Sequence, residues 1–143
     1  MIGKIYRIGI AVNKLDEAIR RFSKVFDLSV AERRVNEAQA VEWAWLPSDV
    51  IVELIQATAP ESKVSQFLKK RGEGLFLIGI EVSDLEAAMK ELKERNVELV
   101  FDAPRPFPGG RKHNFIHPKS LHGVLVELVE PARSEQSSGT NQV

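Results

Sequence analysis

Five residues of this chain have side chains that move protons or hold metal ions, in settings that demand an explanation. Glu53 and Glu127 each sit inside an apolar run, Val52-Glu53-Leu54 and Val126-Glu127-Leu128. A carboxylate buried in such a run is costly unless it is paired or put to use. The three histidines all fall between residues 113 and 122. Imidazole titrates near neutral pH and is the commonest metal ligand. The chemistry these types allow is carboxylate–imidazole acid/base work, or an oxygen-and-nitrogen metal site. Cysteine is absent, which excludes disulfides, thiolate zinc sites, iron–sulfur clusters and cysteine nucleophiles.

The elements that must position these groups follow from a repeat. The chain has 143 residues, 43% hydrophobic and 28% charged, an ordinary globular composition able to bury one core. Twenty basic residues balance twenty acidic ones, which argues against nucleic-acid binding. No apolar run reaches the roughly 20 residues needed to cross a membrane, and the start lacks signal-peptide features. A cytoplasmic protein is the expectation. RIGIAVNKLDEAIRRF (7–22) matches LIGIEVSDLEAAMKEL (77–92), and VIVELIQ (50–56) matches VLVELVE (124–130). Between them, WLP (45–47) aligns with IHP (116–118). Two copies of one module therefore fill about 3–58 and 75–131 of a single domain (1–132), joined by a helix over 62–72.

Each module reads as strand, helix and three strands. The first strands span about 4–12 and 75–82; the later ones about 28–34, 40–46 and 50–57, then 97–102, 112–117 and 123–130. Asn13 is the expected N-cap of the first helix, and Ser83 with Glu86 makes a capping-box pattern for the second. Leu15, Ala18, Ile19, Phe22, Val25 and Phe26 form one apolar face at helical spacing. Trp43 and Trp45 share a strand face, packed under a helix or facing a dimer partner. Lys69-Lys70-Arg71 reads as a solvated helix end or a phosphate contact. From 133 to 143 the composition predicts a disordered polar tail.

A helix covers one face of such a module and leaves the other free. Two modules side by side then form an open, incomplete β-barrel around a cavity, an α+β fold with equivalent residues on opposite walls. Pairing 117 with 123 across the last hairpin puts His113 opposite Glu127 and, by the same register, Glu42 opposite Glu53. A cavity-wall hydrogen bond from His113 to Glu127 is the plainer reading; an acid/base pair or a two-residue metal site is the sharper one. His117 reads as a structural hairpin-corner residue and His122 as a solvated turn residue.

At this point the chain resembles the vicinal oxygen chelate (glyoxalase/bleomycin-resistance/dioxygenase) superfamily, and within it the methylmalonyl-CoA epimerases. The resemblance rests on IGIAV (8–12), VNEAQAVEWAWLP (35–47), VELI (52–55), KVSQFLKKRGEG (63–74) and PRPFPGGRKHNFIHPKSLHGVLVELVEP (104–131). It implies two βαβββ modules and four metal-ligand positions: 7, 53, 77 and 127. The family has His at two of these, where this chain has Arg7 and Leu77. Only Glu53 and Glu127 remain able to ligate, and arginine has no lone pair to offer. No resident metal is therefore expected, a divalent ion being conceivable only in a rearranged site. Arg7 between Glu53 and Glu127 would supply the missing positive charge.

The resemblance also implies proton abstraction alpha to a thioester. Glu127 is retained, and Glu37, in EAQA where the family has an EEQG-like segment, is a candidate second base. The Pro104–Gly110 stretch resembles the family's substrate loop. The expected protein is an epimerase-like homodimer that binds an acyl-CoA or a small carboxylate through Arg7, Glu53, Glu42 and Leu77. The alternative is an active epimerase, isomerase or lyase using Glu127, His113 and Arg7.

Overall fold

A computed structural model of the chain describes residues 3–136 and has the α+β architecture that the repeat predicts. The first module runs β1 (Lys4–Ala11), α1 (Leu15–Phe26), β2 (Glu32–Asn36), β3 (Val41–Leu46) and β4 (Ile51–Ala57). Helix α2 (Lys63–Arg71) links it to β5 (Gly74–Glu81), α3 (Leu85–Glu94), β6 (Arg105–Phe107), β7 (Arg111–Ile116) and β8 (Leu125–Glu130). Among the described residues, no helix is long and apolar enough to cross a membrane. The chain divides into two compact units. The N-terminal unit is Tyr6–Ile78, and the C-terminal unit is Gly79 onward with the residues up to Ile5.

In the N-terminal unit the strands lie in the order β2-β3-β4-β1. β1 runs parallel to β4, with Gly9 beside Glu53, and β3 pairs antiparallel to β4, with Trp45 opposite Glu53. Alternation sends Val52 and Leu54 to one face and Glu53 to the other. Helix α1 covers the first face, where Val12, Leu15, Ala18, Ala44, Leu46, Val52 and Leu54 form the core with Ile10, Ile19, Phe22 and Leu28. The predicted apolar stripe of α1 runs out before the helix does. Val25 is 76% exposed and Phe26 52% exposed, with Phe26 stacked on Phe22 at 5.9 Å instead of reaching the sheet. Trp43 and Trp45 are buried, but on the face away from α1, so they do not pack under the helix.

The C-terminal unit repeats the scheme with strands in the order β8-β7-β6. Leu85, Ala88, Met89 and Leu92 bury one face of α3 against β7 and β8. The strand expected at 97–102 is reduced to one bridge, Leu99 with Ile116, and β6 forms later. Asn114 explains the gap. Its buried side-chain amide accepts the Phe101 N–H at 3.0 Å and donates to the Phe101 carbonyl at 2.9 Å, standing in for a strand. β2 likewise starts later than the expected 28–34.

The helix starts differ from expectation in the same way in both modules. Asn13 is not the N-cap of α1. The strand ladder continues past β1 through Val12 N–H to the Ile55 carbonyl at 2.9 Å, and the Asn13 N–H donates to Glu73 at 2.9 Å. The cap is supplied from the sheet: the Leu15 N–H donates to Gln56 Oε1 at 2.6 Å. In the second module, Asp84 rather than Ser83 accepts from the first turn, and the Leu85 N–H donates to Glu130 Oε2 at 2.9 Å. Gln56 and Glu130 hold the same place in the repeat, so one device serves both helices. Ser62 caps α2 by accepting the Val64 N–H, and Gly72 ends it at φ 75°. Within the stretch expected to be a polar tail, Arg133–Gln136 form a further helical turn, α4; residues 137–143 lie outside the described part.

Both hairpin registers differ from those expected. A 3-10 turn over Pro118–Leu121, continued by His122 and Gly123 at positive φ, consumes more chain than a simple hairpin. Pairing therefore runs Ile116 with Val126 and Phe115 with Glu127, and His113 stands opposite Val129. In the first module Glu42 faces Gln56 rather than Glu53. That odd shift turns Glu42 to the opposite face. The two registers also make Leu46 the counterpart of Ile116, so His117 is an extra residue before the proline and not the partner of Leu46.

Candidate functional site

Each unit holds one carboxylate on the face its helix leaves uncovered, and the two are satisfied by different chemistry. In the N-terminal unit, Glu53 on β4 is buried beside Arg7 of β1, itself only 1% exposed. Arg7 Nε lies 3.2 Å from Glu53 Oε2, and Trp45 Nε1 donates to the same oxygen at 2.5 Å. Arg7 Nη1 donates to the hydroxyl of Tyr6. The guanidinium carbon lies 5.1 Å from the Tyr6 ring and 5.9 Å from the Trp45 ring, within cation–π range. A charge that deep in protein persists because its counter-ion and its aromatic walls are built around it. The ion pair with Glu53 that the sequence anticipated is present. Glu127 belongs to the other unit.

Leu77 is buried in the same N-terminal unit, against Gly9. A Cβ on Gly9 would stand 2.8 Å from Leu77 Cγ and 3.0 Å from Ile55 Cδ1, so only glycine admits this contact. Three of the four positions implied by the resemblance (7, 53 and 77) thus gather in one unit as a cation, an anion and an aliphatic side chain. Among the described residues, no three of His, Cys, Asp and Glu form a group that could hold a metal ion.

In the C-terminal unit, His113 Nδ1 lies 2.9 Å from Glu127 Oε1, both side chains being 3% exposed. An ionised carboxylate only accepts, so the ring nitrogen donates. The contact anticipated from sequence is present although the register is not. His113 reaches diagonally to Glu127 from its place opposite Val129, because residues two apart share a strand face. The Phe107 ring lies 5.1 Å from the imidazole, and the Phe115 ring 5.2 Å from it. In the repeat, His113 occupies the place of Trp43, and Phe115 that of Trp45.

The remaining predicted residues lie elsewhere. Glu42 accepts from Arg33 Nε at 2.7 Å, and Arg33 Nη1 donates to Asp16 at 2.8 Å. Hydrogen bonding to Glu42, then to Asp16, raises the Arg33 pKa further above its ordinary value. Glu42 therefore belongs to a surface ion-pair chain and not to the Glu53 cluster. Glu37 is exposed in the β2–β3 turn, where its carbonyl accepts the Ala40 N–H at 3.1 Å. Lys69, Lys70 and Arg71 end α2, and the Arg71 guanidinium lies over Phe67 at 5.8 Å. His117 caps the 3-10 turn by accepting the Lys119 N–H at 3.2 Å, and His122 is exposed at φ 54°. Sequence reasoning missed Tyr6 and Trp45 as partners of the buried ion pair. The odd-numbered run from Trp43 to Trp45, set against Glu53 with the correct register, was the signal for Trp45.

A family profile described as Glyoxalase/Bleomycin resistance protein/Dioxygenase superfamily matches residues 6–117. The mitochondrial methylmalonyl-CoA epimerase of Dictyostelium discoideum is 34% identical, over 90% of this chain and 79% of that protein. The crystal structure of methylmalonyl-CoA epimerase from Mycobacterium tuberculosis superposes with a TM-score of 0.88 at 34% identity, covering 94% of this chain and 91% of the other. A methylmalonyl-CoA epimerase solved in complex with methylmalonyl-CoA and NH4+ superposes at 0.87 with 33% identity, covering 93% and 97%.

Proposed function

The chain belongs to the glyoxalase/bleomycin resistance protein/dioxygenase superfamily and is methylmalonyl-CoA epimerase-like, and from that premise we propose a ligand and a site for it. The ligand is an acyl-CoA or a small carboxylate, and the site's fixed positive charge is Arg7 instead of a divalent metal. The observation that carries this reading is the buried Arg7–Glu53 pair. At positions 7 and 77 the family resemblance asks for imidazole. A guanidinium has no lone pair and repels a cation, and Leu77 has no donor atom. The donor set therefore does not fit the family's metal in its usual place. A guanidinium offers an anionic group of a ligand a cation that never titrates. The epimerase solved with methylmalonyl-CoA also holds NH4+, so an acyl-CoA and a nitrogen cation occur together in a relative.

Metal analysis and thermal shift test this reading together. The purified protein is expected to carry less than one equivalent of divalent metal, and its Tm is expected to rise with methylmalonyl-CoA. One tightly held equivalent, lost in Glu53→Gln, would overturn the metal-free site. Indifference to methylmalonyl-CoA, CoA and methylmalonate would overturn the ligand class. We also read the protein as a cytoplasmic homodimer. Exposed Ile5, Val25, Phe26 and Leu75 are apolar surface that self-association would cover, and a monomer in sedimentation would refute it.

A second reading, in which the site turns over, is favoured by the 2.9 Å contact between His113 and Glu127. A carboxylate backed by an imidazole can accept the proton from the carbon alpha to a thioester and return it. Solvent-deuterium exchange at C2 of methylmalonyl-CoA is the measurement. Rapid exchange lost in Glu127→Ala supports turnover, and no exchange with intact binding supports the binding reading alone.

A further inference from the structure

Strand β6 has three residues, Arg105–Phe107, followed by Pro108 and two glycines at positive φ, Gly109 at 86° and Gly110 at 76°. Its ladder to β7 ends with Phe107 paired to Arg111. So short an edge element holds its place weakly by itself. Support comes from outside the sheet. Arg111 Nε and Nη2 donate to Glu135 Oε2 and Oε1 at 3.1 and 2.6 Å, and Nη1 donates to the Pro108 carbonyl at 3.1 Å. Two-point guanidinium–carboxylate contact fixes direction as well as distance. Glu135 lies on α4, and its Oε2 also accepts the Ala132 N–H at 3.1 Å. One guanidinium therefore ties together the 108–110 turn, the start of β7 and the last described helical turn.

Phe107 carries that constraint inward. Its ring is tilted 46° to the His113 imidazole at 5.1 Å, and Phe115 meets the imidazole edge-on at 5.2 Å. An imidazole held by two phenyl rings has its plane set by them, and so the direction of Nδ1 toward Glu127. We infer that Glu135 is a positioning residue for the His113–Glu127 couple, acting through Arg111 and Phe107. The consequence for turnover rests on the second reading above; the geometry and its test do not.

The test uses the full chain labelled with 15N-histidine, the His113 Nδ1–H signal being assigned with His113→Gln. Glu135→Gln is expected to move that signal and to speed its exchange with water by about fivefold, the order of effect of a partly exposed ion pair. The signals of His117 and His122 are expected to stay. Glu135→Asp keeps the charge and is expected to keep most of the protection. A His113 signal unchanged in Glu135→Gln overturns the inference, as does equal disturbance by Glu135→Asp and Glu135→Gln. Neither result depends on ligand binding or exchange at C2.

Discussion

Replacing Arg7 with methionine would keep most of the apolar stem and leave the Glu53 carboxylate buried without its cation. At 3.2 Å two unit charges attract by about 5 kcal/mol at an effective dielectric of about 20. Removing one partner of a buried pair costs about 3–5 kcal/mol in practice. Proton uptake limits that loss. Starting from an ordinary glutamate pKa of about 4.3, neutralising the carboxyl costs about 1.4 kcal/mol per pH unit, hence about 3.7 kcal/mol at pH 7 and about 1 kcal/mol at pH 5. The sign follows. In the variant the folded state holds the proton more tightly than the unfolded chain. Its deficit is therefore absent at low pH and grows as pH rises above the ordinary carboxylate range. Urea denaturation of the parent and of Arg7→Met at both pH values is the assay. A loss of about 3 kcal/mol at pH 7, shrinking to about 1 kcal/mol at pH 5, is expected, with Arg7→Met/Glu53→Gln recovering most of it. A pH-independent loss, or no recovery in the double variant, would refute the buried pair as the organiser of this site.

Asn114→Leu is expected to cost about 2–4 kcal/mol in denaturation, because the Phe101 N–H and carbonyl would both lose the side chain that satisfies them. Gln56→Ala removes the acceptor for the Leu15 N–H and is expected to cost about 1 kcal/mol, with faster amide exchange in the first turn of α1. Gly9→Ala drives a Cβ into Leu77 and Ile55 and is expected to cost about 1–3 kcal/mol, partly relieved by Leu77→Ala. The Glu98 carboxyl, held below its usual range chiefly by its hydrogen bond from Lys119, is expected to titrate higher in Lys119→Met when followed by NMR. Whatever stability it contributes is present above the ordinary glutamate pKa and is lost as pH falls through its lowered value.

The repeat made the order of elements legible, since IGI in both modules and VEL in both last strands fix which segments correspond. The setting of Glu53 and Glu127 was legible from the apolar residues on either side of each, whereas the place of Arg7 came from the family resemblance. The registers were not, because the length of chain consumed by Pro118–Gly123 depends on a 3-10 turn ended by a left-handed His122. One error of that kind preserved the face of His113, being an even shift, and another reversed Glu42, being odd. The caps of α1 and α3 were hidden because Gln56 and Glu130 lie about forty residues away in sequence. Asn114 read as an ordinary strand residue, and nothing local marks a side chain that substitutes for backbone.

The distribution of aromatic and imidazole side chains gives each unit its own built-in reporter. Both tryptophans of the chain lie in the N-terminal unit, stacked 26° from parallel at 4.8 Å, and one of them touches Glu53. Ultraviolet fluorescence and the near-ultraviolet circular dichroism of that coupled pair therefore read the Arg7–Glu53 half alone. All three histidines lie in the C-terminal unit, so imidazole resonances read the His113–Glu127 half alone. A titration followed by both signals would separate events at the two carboxylates without adding a label or changing a residue.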